Sequence, residues 1–111
     1  MGNLRLDSEL EICSIWPRGK IPKDFNQPVV SKVPALLLAG GLDPATPVDL
    51  AEEAVRHLAN GHLVTVPNRS HWGLSGRCVE GIVDRFLDSA SAEGIDTSCV
   101  EKFERPSFPS D

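Results

Sequence analysis

The chain has 111 residues, 41% of them hydrophobic and 24% charged, which is ordinary for a soluble globular protein and fits one small domain. Its net charge of −5 and pI near 5.1, with eleven Lys and Arg scattered along the chain, argue against nucleic acid or an anionic membrane surface as a partner. No stretch approaches the roughly 20 apolar residues that span a bilayer, and the first residues lack the apolar run of a signal peptide.

Residues 1–34 show little regularity. A short helix is expected up to about Trp16, which reads as a packing anchor, and Pro17, Gly19, Pro22 and Pro28 then mark an extended connector. Residues 34–39 form an apolar run without polar alternation, the pattern of a strand covered on both faces in a parallel sheet. Gly40 and Gly41 allow a sharp exit, and Pro44 disfavours helix at Asp43, so one carboxylate is held just past the strand's carboxyl end. That rim is where open parallel sheets usually place their chemistry.

Thr46-Pro47-Val48-Asp49 reads as a helix start, with Thr46 as N-cap and Pro47 at the first helical position, and the helix is expected to run to about Asn60. Leu50, Ala51, Ala54, Val55 and Leu58 would form its buried face, and Asn60-Gly61 would close it in a left-handed cap. A second strand follows over residues 62–66, stopped by Pro67. Strand, helix and strand make a βαβ unit, so the two strands should run parallel and end on one rim. Asp43 and His71 then emerge side by side, since neighbouring strands lie about 4.8 Å apart. A carboxylate beside an imidazole is the general-base half of a nucleophilic mechanism. His57 and His62 read as solvated or capping residues, and Asn68-Arg69-Ser70 is a chance glycosylation pattern set too close to this rim.

A last helix is expected from residue 77 or 78 to 87 or 88, with Val79, Ile82, Val83, Phe86 and Leu87 as its apolar face. Residues 89–111 read as an irregular tail in which Phe103 and Phe108 pack back on the domain. Cys13, Cys78 and Cys99 make an odd count with no Cys-x-x-Cys pair, and no His or Cys lies at metal-ligand spacing, so a zinc site is not expected.

The piece Pro34-Ala-Leu-Leu-Leu-Ala-Gly-Gly-Leu-Asp43-Pro-Ala-Thr-Pro47, then Leu63-Val-Thr-Val-Pro67 and His71, resembles the C-terminal part of an α/β-hydrolase. Within that superfamily the chain is most similar to the tripeptidyl aminopeptidase and proline iminopeptidase-like branch, with its TAP-like C-terminal domain. Cys13 before Trp16-Pro17, Gly76-Arg77-Cys78 and Asp96-Thr97-Ser98-Cys99 carry the resemblance from about residue 10 to 109. The fold it implies is α/β: a connector over 1–34, a βαβα unit over 35–88 with parallel strands near 35–39 and 62–66, and a tail over 89–111.

The resemblance makes Asp43 the acid and His71 the base of a Ser-Asp-His triad, which needs no cofactor. The nucleophile's Gly-x-Ser-x-Gly is absent, so the isolated chain is expected to be inactive. Trp72 stands where relatives carry a smaller residue and is a substrate-pocket wall candidate. The family is often exported, which implies a Cys78–Cys99 bridge; reduced core thiols are the alternative. Such a bridge closes a loop of about 20 residues and would contribute on the order of 3 kcal/mol. The implied partner is an upstream hydrolase part, or a second copy meeting an unpaired apolar sheet edge, and the implied substrate is a short peptide or an ester. The alternative from another class is a non-catalytic α/β interaction module or truncated pseudo-hydrolase.

Overall fold

The computed structural model describes residues 3–105 and 107. Phe108 and the terminal prolines of the expected tail lie outside the described residues. Strands β1 (Ala35–Gly40) and β2 (Gly61–Val66) form a two-stranded parallel sheet, with Ala35 opposite Gly61 and Gly40 opposite Val66. The connection between them holds helix α2 (Val48–Val55), and helix α3 (Arg77–Ser89) follows β2. A short 3₁₀ turn, Ser98–Lys102, brings the tail back, and helix α1 (Leu4–Ile15) precedes the rest.

The core lies between β2, α3 and the 3₁₀ turn. Val64 and Val66 alternate with half-buried Leu63 and exposed Thr65, and they meet Val79, Ile82 and Val100, with Leu36, Leu38 and Phe103 packed around them. Cys78 and Cys99 are joined by a disulfide with Cα atoms 5.9 Å apart, which ties α3 to the 3₁₀ turn beside Val100. Cys13 is free and exposed.

Four local expectations are corrected. Helix α2 stops at Val55, five residues short of Asn60, because the following segment pairs elsewhere: Ser31 donates to His57 O, Ala59 donates to Ser31 O, and Ser31 and Leu58 form an isolated parallel bridge. Gly61 is therefore not a helix cap but the first residue of β2, where a Cβ would lie 2.6 Å from Leu58 Cβ. The expected buried face of α2 is half-buried at Ala51, Val55 and Leu58 and exposed at Leu50 and Ala54, which face an open groove toward residues 25–29. Trp16 is 71% exposed rather than a packing anchor, as α1 buries none of its residues.

Among the described residues β1 pairs with β2 alone, and its apolar Ala35, Leu36, Leu37 and Leu38 remain half-buried. The radius of gyration is 18.6 Å. A compact domain of this length would have roughly 13 Å, so the chain is looser than that, and every described residue before Ser31 is exposed.

Candidate functional site

The two strand ends are bonded into a single rim. Gly41 donates to Val66 O at 2.9 Å, continuing the parallel ladder one step beyond β1, and Leu42 donates to Arg69 O at 2.9 Å. Gly40 makes this approach possible. A Cβ at that position would lie 2.6 Å from Arg69 O and 2.9 Å from Ser70 O, so any side chain there would push the two loops apart. The glycine is required by close contact; its φ is not in the left-handed region.

Asp43 is buried, its side chain 3% exposed, and its two oxygens do different work. Oδ1 accepts from the backbone N–H groups of Ala45 (2.8 Å) and Thr46 (3.0 Å), which closes the turn through Pro44. Oδ2 accepts from the Thr46 hydroxyl at 2.6 Å and lies 2.8 Å from His71 Nδ1. An ionised carboxylate only accepts, so Nδ1 carries the proton and Nε2 of the neutral ring is left with a lone pair. Nε2 makes no hydrogen bond among the described residues, and the His71 side chain is 40% exposed. The arrangement is thus a base held in one tautomer by a buried acid.

The Thr46 hydroxyl, more than any other group, holds the Asp43 carboxyl well below the usual range. The Thr46 and Ala45 amides and the His71 ring act in the same direction, and burial pushes the other way. The expected role of Thr46 as helix N-cap is corrected: Pro47 is the cap residue, without a side-chain bond, and the hydroxyl turns back to Asp43. As a cap Thr46 would accept from the first helical N–H groups, with Asp49 three residues on; instead its hydroxyl donates to Asp43, three residues before it. A folded-state pKa below the unfolded value of about 3.9 stabilises the fold above that pH, and the stabilisation is lost as pH falls through the folded value. Thr46→Val, which keeps the shape and removes the donor, is expected to raise the Asp43 pKa, lower stability at neutral pH and flatten acid unfolding below about pH 4. Titration of the Asp43 carboxyl carbon by NMR, beside acid-unfolding curves of both proteins, checks this.

Trp72 stands with its ring edge-on to His71, centroids 5.2 Å apart, and is 89% exposed. It flanks the imidazole rather than lining an enclosed cavity. A groove of about 310 Å³ opens nearby, lined by Leu37, Leu38, Ala39, Thr46, Pro47 and Ala51. His57 bonds Glu53 on α2 and His62 lies exposed on β2, so neither joins the pair. Among the described residues no three His, Cys, Asp or Glu side chains gather where they would hold a metal ion.

A family model described as TAP-like protein matches residues 1–99. It covers the connector, both strands, both flanking helices and the paired Asp43 and His71, and it ends at Cys99. Comparison with curated proteins and with solved structures returns no match.

Proposed function

On the premise that the chain belongs to the TAP-like protein family, and so is a hydrolase-like α/β domain, we propose that it supplies the acid and the base of a Ser-Asp-His triad. The single observation that carries this reading is the 2.8 Å contact between His71 Nδ1 and the buried Asp43 Oδ2, with Nε2 unbonded. A serine hydroxyl placed at Nε2 would lose its proton to His71 as it attacks an acyl carbonyl. Asp43 would steady the imidazolium, and His71 would return the proton to the leaving group.

The serine and its oxyanion donors are to come from an upstream hydrolase part, because the sequence holds no Gly-x-Ser-x-Gly. The unpaired, half-buried apolar edge of β1 supports a missing neighbour of this kind. A short peptide cut at its N-terminal end is the substrate class the family suggests, with esters as the second class.

The test uses a fluorophosphonate probe and a peptide p-nitroanilide, first on the chain alone and then on the chain mixed with an upstream fragment carrying the nucleophile. The chain alone is expected to be unlabelled, and the mixture is expected to be labelled on the fragment's serine and to turn over substrate. Labelling of the chain by itself would refute the missing nucleophile. A mixture that associates without activity would favour an interaction module.

A further inference from the structure

His71 sits on a loop whose other end is fastened to the tail. Asn68, in left-handed backbone at φ 58°, donates from Nδ2 to Phe103 O at 2.8 Å. The Arg69 guanidinium stacks over the Phe103 ring, 4.4 Å from its centroid, and Arg69 Nε is buried without a hydrogen-bond partner among the described residues. Among the described residues the Arg69 side chain is held by stacking and makes no ion pair. Its carbonyl receives the Leu42 N–H that joins the Asp43 loop to the His71 loop. Phe103 is seated on the core beside Val100, next to the disulfide-bonded Cys99.

We propose that Phe103, through Asn68 and Arg69, is a positioning latch that holds the 68–71 loop in the register at which His71 meets Asp43. The proposal rests on the reading of His71 as a base. None of the three residues touches the imidazole in the contacts described, so their effect runs through the loop backbone: Phe103 fixes Asn68 and Arg69, and Arg69 O fixes the distance to the Asp43 loop. The tail is then part of the site's support, and anything that frees it from the core loosens the Asp43–His71 bond.

The full chain labelled with ¹⁵N at its histidines gives a readout independent of activity. In the wild-type protein His71 is expected to show a slowly exchanging, far-downfield Nδ1–H signal, and Asp43→Asn is expected to abolish it. Phe103→Ala removes the stacking partner and is expected to speed exchange of that proton about tenfold, while Phe103→Tyr restores it. Asn68→Gly keeps the left-handed backbone and the core intact, removes only the side-chain tether, and is expected to fall between the two. No change of exchange in both Phe103→Ala and Asn68→Gly, with backbone amide spectra showing a folded chain, overturns the latch and leaves the pair standing. Absence of the Nδ1–H signal in the wild-type chain overturns the pair and, with it, both the latch and the proposed triad.

Discussion

Asp43→Asn, in the chain complemented with its nucleophile-bearing upstream part, is expected to lower kcat by about 10⁴-fold with little change in KM. The reason is the direction in which the amide must point. Oδ1 accepts two backbone N–H groups, from Ala45 and Thr46. An asparagine that turned its NH₂ toward them would face two donors with a third, so the carbonyl keeps that place and the NH₂ faces His71. Nδ1 must then accept, the ring proton moves to Nε2, and the nitrogen that should take the serine proton is already protonated. The Thr46 hydroxyl can rotate to accept from the new amide, so the substitution leaves the turn closed and acts on the tautomer. His71→Ala is expected to be at least as damaging, since it removes the base itself. Steady-state kinetics on the complemented protein, with thermal melts to confirm folding, check both. An Asp43→Asn variant within about tenfold of wild-type kcat would mean that the carboxylate does not set the tautomer and serves only the turn.

The two strands and α3 were legible because short apolar runs and a 3.6-residue period are local signals, and Val64, Val66, Val79 and Ile82 occupy the core positions those patterns assign. The convergence of Asp43 and His71 followed from topology alone: parallel neighbours end on one rim. What stayed hidden depends on contacts between distant segments. The end of α2 is decided by Ser31, which lies 27 residues before Leu58 and carries no propensity signal for that pairing. Gly40 looked like a flexible exit but answers to a carbonyl on the other loop. Thr46 reads as a cap in Thr46-Pro47-Val48-Asp49, because a hydroxyl that accepts at a helix start and one that donates back to a carboxylate look alike in sequence. Phe103 was expected to pack back on the domain and does, yet its hold on Asn68 and Arg69 had no motif to announce it. Trp16 shows the opposite failure: a large aromatic suggests burial, but burial needs a surface, and α1 meets none among the described residues.

Removing the Cys78–Cys99 bridge is expected to have the largest effect on stability. In the loop-entropy account a bridge across 21 residues contributes about 3 kcal/mol by restricting the unfolded chain. For a domain of this size each kcal/mol moves Tm by roughly 4–8 °C, so a Cys78→Ala/Cys99→Ala variant should melt roughly 12–24 °C lower. The effect is magnified by how little else holds the tail: Val100 is its one buried apolar side chain among the described residues, and Phe103 is only partly buried. The same variant should also weaken the latch, because Cys99 anchors the turn that leads to Phe103. Cys13→Ala removes an exposed thiol on a helix without buried residues and is expected to change stability by less than about 0.5 kcal/mol, which makes it the control for thiol loss as such. Calorimetric melts of the three proteins decide the matter. A double variant that melts within about 4 °C of wild type would show that packing of Val79, Ile82 and Val100 holds the tail without the bridge, and would move the support of the His71 loop from the covalent link to the core.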